Sequence, residues 1–488
     1  MHDAVGQLER RPSPHQSMNT NLSRLRPLRL GGLAFVALAL AGCLQDRLAW
    51  SPDGQRLAIV TAEGLHLADA SGRVSPLLAH GVYRAAWLPD SQRVALARRR
   101  EAKTFAEVAA ALGPDRTRTL VAKAETVWRQ LKDLPRSDGF DQRLAQDVGD
   151  DLGGILAYLR EQPQHLAALR EKFGADWKKE DETKPIDLHE VVLARVVGQA
   201  LEPGPTLVVG LPPIRSLRPA PGGSALAFTR QTELSLQRDN GICVWVVPVD
   251  GSAPPALAAT QSSTQPDWSS DGRSLVFFKT SGGAGDDLRL GTLTSREVLN
   301  PAGRLRLAEE TADLAGLIFH QQSRVRCLRN GRVIFNATPF QLPTLGAGEK
   351  DREQLFAIDP ARKTSVDSLV PTHELARLPK ALSAFEVSPD DRQVLFGSEN
   401  GEVWRLTLAT GQVEAIAPAI ESDKDRGEGE NFPAPVWRAA GEPTFLRKVP
   451  IGSHPAGASP FQLVLRRGET ESILSQTWDA ALLRRLIE

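Results

Sequence analysis

The chain has 488 residues, room for one large domain and an insert. Its 59 Lys and Arg balance 59 Asp and Glu, so no basic surplus marks it out for nucleic acid. Apart from Cys43, the only cysteines are Cys243 and Cys327. They lie in apolar, strand-like stretches and read as two buried thiols, with a disulfide as the alternative in an oxidising compartment.

The N-terminal segment is polar and basic and ends in Arg24-Leu25-Arg26-Pro27-Leu28-Arg29-Leu30; an apolar run from Gly31 to Leu40 and then Ala41-Gly42-Cys43 follow. A basic flank, an apolar stretch too short to span a bilayer and small residues at the cut predict a secretory signal over residues 1–42, with Met18 as an alternative start. Leu40-Ala41-Gly42-Cys43 resembles the bacterial lipobox. That resemblance implies that Cys43 becomes the acylated first residue, several acyl chains anchoring the protein to a membrane it does not span. Leu44 stands where an Asp would imply inner-membrane retention, so the likeness to sorted lipoproteins implies the outer membrane of a bacterial envelope, facing the periplasm.

A hairpin unit begins at once, Trp50-Ser51-Pro52-Asp53-Gly54 before Arg56-Leu57-Ala58-Ile59-Val60. Proline sets φ for a type I turn and Gly54 can take positive φ, so the apolar flanks read as two antiparallel strands. The unit returns 37 residues on at Trp87 with Asp90, near the ~40-residue period of propeller repeats. Looser copies follow at Ala220-Pro221-Gly222-Gly223, at Trp268 with Asp271 and Gly272, at Arg329-Asn330-Gly331, at Val387-Ser388-Pro389-Asp390, and at Val436-Trp437-Arg438 with Gly441. The starts count to seven, with six or eight blades also compatible. Each blade buries a face only against the next, so the chain predicts an all-β fold closed into a ring, a β-propeller of about seven four-stranded blades. The repeat resembles the TolB-type propeller and, more distantly, the Trp-Asp repeat. The resemblance implies that the Trp residues pack between blades and that Asp and Gly shape the turns, a structural role and not a catalytic one.

After Arg98-Arg99-Arg100 the character changes. Phe105–Leu112, Leu120–Leu134, Leu152–Phe173 and Leu188–Leu201 carry apolar residues at three- and four-residue spacing and read as helices. Residues 43–100 are therefore read as the first two blades, 101–203 as an α-helical insertion and 204–488 as the remaining blades, the strand Thr206–Leu211 completing the interrupted blade. The insertion is either the partner- or ligand-specific element or a cap on one face of the ring. Lys178–Lys184 within it reads as a solvated linker.

No Gly-x-Ser-x-Gly elbow is present, and no length remains for a hydrolase domain after the last blade. His189-Glu190-Val191-Val192-Leu193 begins like a zinc-protease helix but has Leu193 where the second ligand must lie. Asp423 and Asp425 sit in an acidic, glycine-containing loop that departs from calcium-loop spacing, so they are weak metal candidates and no cofactor is called for. The first functional reading is a non-enzymatic, lipid-anchored platform for envelope proteins. The second is a binding protein for a small molecule, glycan or metal in the channel, and the third an unrecognised enzyme. A charged cluster converging on the channel favours the second, a His/Asp/Glu constellation the third, and an apolar outer face on the insertion the first.

Overall fold

The computed structural model describes residues 46–133, 152–173, 183–231, 242–262, 265–283, 288–299, 305–320, 323–338, 354–360, 374–376, 382, 384–398, 401–419, 432–439, 441–449 and 459–487. All of them fall within one compact unit, Leu40–Glu488. Among these residues no helix is long and apolar enough to cross a membrane.

The strands form five antiparallel sheets of four and one of eight. The first sheet is β1–β4 (Leu48–Trp50, Arg56–Val60, Gly64–Asp69, Ala79–His80) and the second β5–β8 (Val82–Trp87, Arg93–Ala102, Ile186–Val197, Ala200–Gly210). The eight-stranded sheet holds β9–β12 (Ile214–Pro219, Ala225–Gln231, Ile242–Pro248, Ala256–Ser262) and β13–β16 (Asp267–Trp268, Ser274–Gly283, Leu288–Leu299, Arg306–His320). Its two halves join through one residue pair, Ser262 with Lys279. Then come β17–β20 (Val325–Cys327, Val333–Ala337, Gln354–Ile358, Glu374–Ala376), β21–β24 (Ala384–Val387, Gln393–Gly397, Val403–Thr407, Gln412–Ala417) and β25–β28 (Val436–Trp437, Pro443–Lys448, Phe461–Arg467, Thr470–Ile473).

The turn chemistry explains the first hairpin of each sheet. Gly54 N–H closes on Ser51 O at 2.8 Å with φ +66°, and Asp53 Oδ1 accepts from Ser51 Oγ at 2.6 Å and Gln55 N at 3.0 Å. Gly272 repeats this at φ +68°. Ser91 and Asp391 take the same left-handed position without being glycine, at φ +57° and +59°, against a cost of about 1 kcal/mol each. Both side chains reach the preceding turn: Ser91 Oγ accepts from Asp53 N at 3.0 Å, and Asp391 Oδ2 from Arg329 N at 2.6 Å. The strained residues thus tie neighbouring turns together.

Packing between sheets makes the propeller. Val60, Leu65 and Leu67 of the first sheet pack with Val94, Leu96 and Val196 of the second. Phe335 and Phe356 pack on Phe278 and Phe319 of the eight-stranded sheet. Phe385 and Phe396 pack on Ile334 and Leu355, and Phe445 and Val464 on Leu395 and Val403. The last sheet then meets the first: Leu463 and Leu465 pack on Leu48, Leu57 and Ile59, so the arrangement closes on itself. Each such side chain contributes on the order of 1.5–3 kcal/mol of burial. The first strands β1, β5, β9, β13 and β17 lie side by side in that order, and β25 lies beside both β21 and β1. A repeat tryptophan bolts one first strand to the one before it. Trp87 Nε1 donates to Ala49 O at 2.9 Å, Trp268 to Arg218 O at 2.8 Å and Trp437 to Glu386 O at 3.0 Å, while Trp50 crosses the closure to Thr444 Oγ1 at 2.9 Å.

Between β6 and β7 stand α1 (Phe105–Leu112), α2 (Pro114–Asp133), α3 (Leu152–Arg160) and α4 (Pro163–Phe173). Thr104 caps α1 by accepting from Glu107 N, and Gly113 ends it at φ +80°. Val108, Leu112, Leu120, Ile155 and Leu159 are buried. The helices rest on the second sheet: Arg116 donates to Val209 O, and a Cβ on Gly154 would come within 2.7 Å of Leu211 Cδ1.

The helix expected over Leu188–Leu201 is corrected: this stretch is the β7–β8 hairpin, turning at Gly198. Val191, Val192, Val196 and Val197 are β-branched and favour extended backbone. β7 pairs with β6 from Arg93–Arg195 to Ala102–Ile186, and its central run is buried on both faces, which erases the alternation expected of a strand with one wet face. The last helix, α5 (Ala480–Ile487), has no counterpart in the sequence reading. Leu482, Leu483, Leu486 and Ile487 cover the seam between the last and first sheets, and Arg47 Nη1 donates to Leu486 O at 2.6 Å.

Candidate functional site

A register relation places charge at the centre. In each hairpin unit one residue holds the place of Trp50: Trp87, Pro219, Trp268, Cys327, Val387 or Trp437. Immediately before it stand Ala49, Ala86, Arg218, Asp267, Arg326, Glu386 and Val436, so four successive units carry charges of alternating sign. Three residues before it stand Arg47, Arg84, Ser216, Gln265, Arg324, Ala384 and Ala434, a second level toward the end where the first strands begin.

The ion pairs that follow span the axis. Glu386 accepts a fork from Arg326, Nη2 at 2.5 Å and Nε at 2.8 Å, and accepts from Arg218 Nη2 at 3.0 Å. Asp46, just ahead of β1, lies 2.9 Å from Arg324 Nη1, accepts from Gln265 Nε2 at 2.9 Å and lies 3.7 Å from Arg84 Nη1. β9 is not a neighbour of β21, nor β1 of β17, so these contacts exist only because the strands face one another across the ring. Asn336 Oδ1 accepts from Arg324 N at 2.6 Å, and the indoles of Trp268 and Trp437 hold the backbone of Arg218 and Glu386. The repeat tryptophans therefore set the charged residues in place.

Arg324 and Arg326 are sealed in, their side chains 6% and 5% exposed, whereas Arg84, Asp46, Arg218 and Glu386 keep 27%, 33%, 24% and 23%. The layer has a dry floor and a side that solvent reaches. Burial alone would raise the Asp46 carboxyl, but Arg324, Arg84 and Arg218 outweigh it and hold it down at about 2. Asp267 goes the other way: burial lifts it to about 6 despite Arg218 and the Cys327 N–H at 2.9 Å. Burial also raises Glu386 against the pull of Arg218 and Arg324. Four guanidiniums (Arg84, Arg218, Arg324, Arg326) face three carboxylates (Asp46, Asp267, Glu386), a surplus of positive charge that grows as Asp267 takes up a proton.

At the edge of the layer Tyr83 Oη lies 3.0 Å from His189 Nδ1 and accepts from Ile214 N at 3.0 Å. Burial, reinforced by Arg99 and Arg215, pushes His189 down to about 4, so it is neutral at ordinary pH. His189 lies on β7, a strand and not a zinc-protease helix. Among the described residues no group of three or more His, Cys, Asp or Glu is arranged to hold a metal.

The sequence-derived positions fall elsewhere. Trp50 and Trp87 pack between sheets and Trp268 between the two halves of the eight-stranded sheet, while Asp53, Asp90, Asp271 and Asp390 bind the backbone of their own turns, beside Gly54 and Gly272. Cys243 and Cys327 are thiols on different sheets, not a disulfide. Leu40, Ala41, Gly42 and Cys43, and Asp423 and Asp425, lie outside the described residues. The central charges escaped sequence reading, although a signal existed: a charge at one fixed register in otherwise apolar first strands.

Fold and site together define an all-β propeller with an ionic centre. No family model matches the chain, and no curated protein matches it. Among solved structures it is similar to a candidate TolB from Agrobacterium tumefaciens, at 14% identity over 55% of this chain and 83% of that one, TM-score 0.32. It is similar to an oligogalacturonate lyase in complex with manganese, at 14% identity over 73% and 74%, TM-score 0.39. It is also similar to the β-propeller domain of Cps50 (Swd1) from Myceliophteria thermophila, at 9% identity over 85% and 95%, TM-score 0.42. Likeness at this level carries nothing about ligand, partner or reaction.

Proposed function

We propose that the chain is a lipid-anchored propeller of the bacterial envelope that works as a binding module without turnover, its charged centre being the recognition surface. In this reading the eight-stranded sheet counts as two blades, seven in all, the helices α1–α4 form an insertion in the second blade, and Cys43 carries the anchor. The observation that carries the binding role is the convergence of Asp46, Arg84, Gln265, Arg218, Arg324, Arg326 and Glu386 from six first strands or their approaches on one partly solvated layer. Rigid elements hold that layer, and its charge is unbalanced, as recognition of a charged ligand requires.

The platform reading for envelope proteins keeps one support, the firm seating of the helices on β8 through Arg116 and Leu211, which presents them as a fixed surface. A thermal-unfolding screen of the purified protein against charged and neutral small molecules, run beside in-cell crosslinking, separates the two. A compound that raises the unfolding temperature of wild type but not of Arg218→Gln supports the central site. Protection by no compound, with a defined protein captured only when the helical segment, residues 105–183, is present, overturns it in favour of the platform. Labelling with a fatty-acid analogue that Cys43→Ser abolishes is the expected result for the anchor.

A further inference from the structure

The central layer does not satisfy all of its own arginines. The Arg84 side chain makes no hydrogen bond to any described residue; its one carboxylate contact is Asp46 at 3.7 Å, and that carboxylate is engaged at 2.9 Å by both Arg324 and Gln265. The Arg215 side chain makes neither a hydrogen bond nor an ion pair with any described residue. The Nε atoms of both are buried without an acceptor. A buried guanidinium N–H lacking an acceptor costs about 1–3 kcal/mol.

The two guanidiniums also share a neighbourhood. Their strands β5 and β9 lie side by side and are joined by the bond from Ile214 N to Tyr83 Oη, the residues directly before Arg215 and directly before Arg84. Burial above all, and then Arg215 and Arg324, disfavour the charge on Arg84. By register Arg84 and Arg215 stand three and four residues before the repeat position, level with Asp46, Gln265 and Arg324. Arg84 is 27% exposed and can be reached. The other groups facing the pair are no substitute anion: Tyr83 is held neutral by burial up to about 12, and His189 is neutral above about 4.

We propose that Arg84 and Arg215 form the receptor for a small-molecule oxyanion, a carboxylate or phosphate group seated between the two guanidiniums beside Asp46. The proposal rests on the central-binding reading and names its ligand chemistry. A planar fork of N–H donors is matched by two oxygens of one anion, which would supply acceptors to both arginines and relieve their mutual repulsion. Asp46 sets selectivity, since a second negative charge on the same side of the ligand would meet it.

The test is isothermal titration of the full chain with inorganic phosphate and, separately, with succinate, at low chloride. Saturable binding of at least one anion is expected, weakened about tenfold or more in Arg84→Gln and in Arg215→Gln and unchanged in Arg447→Gln, whose guanidinium pairs with Glu471 away from the centre. Asp46→Asn should broaden acceptance to the more highly charged anion. Removing either of two like charges should leave the unfolding temperature in anion-free buffer equal or higher, which keeps the variants folded; Arg84→Lys should bind at an intermediate level. Failure of both anions to bind, or binding that neither glutamine variant weakens, overturns the proposal. If both anions fail while a compound in the thermal screen protects wild type but not Arg218→Gln, this inference falls and the central-binding reading stands.

Discussion

Asp46→Asn isolates the electrostatic part of ring closure. Asp46 ties the approach to β1 to Gln265 and Arg324 on the far side of the axis, and its carboxyl is held at about 2 against a usual value near 3.9. A folded-state pKa below the unfolded one adds stability above the unfolded value and loses it as pH falls through the folded one. The difference corresponds to about 2.5 kcal/mol, and with the side chain one-third exposed, screening brings the expectation to about 2 kcal/mol. Asparagine keeps the shape and one acceptor but drops the charge. Urea unfolding followed by tryptophan fluorescence should show the variant about 2 kcal/mol less stable at pH 7. The gap should narrow between pH 4 and pH 2, where wild type loses its advantage. A variant within about 0.5 kcal/mol of wild type at pH 7, or a gap that does not change with pH, refutes the account of Asp46 as an ionic tie.

Two further perturbations test other parts of the same scheme. Asp267 has the opposite sign: with its carboxyl raised to about 6, its stability is full below about 4 and is lost as pH rises through 6, so Asp267→Asn should match wild type at pH 4 and exceed it by about 3 kcal/mol at pH 8 in the same assay. At the closure, Gly72 sits at φ +88° with room for no Cβ, which would lie 2.2 Å from Leu474 O, and its own carbonyl accepts from Trp478 Nε1 at 2.6 Å. Gly72→Ala should cost more than about 3 kcal/mol and expose the C-terminal segment around α5 to limited proteolysis before the rest of the chain.

The turns and the strands beside them are legible because their determinants are local. Ser51, Asp53 and Gly54 specify one hairpin among themselves, and the repetition of such units forces neighbours to bury each other's faces. The helices before Phe173 announce themselves through apolar residues at three- and four-residue spacing, although Leu152–Phe173, read as one stretch, divides into Leu152–Arg160 and Pro163–Phe173. The same apolar spacing misleads at Leu188–Leu201, because a strand buried on both faces carries no alternation and only pairing with β6 decides it. α5 is short, and its apolar face gains meaning only from the seam it covers.

The central site lies furthest from local signals. Arg218 and Glu386 are 168 residues apart, and Asp46 and Arg324 are further still. Nothing in the chain near Arg218 says that a carboxylate will stand 3.0 Å away. Sequence by itself determined the repeat, the turn residues and the alternation of charge at one register. Tertiary structure alone decided which of those charges meet and which arginines are left short of acceptors, because a ring brings together across its axis residues that no local interaction relates.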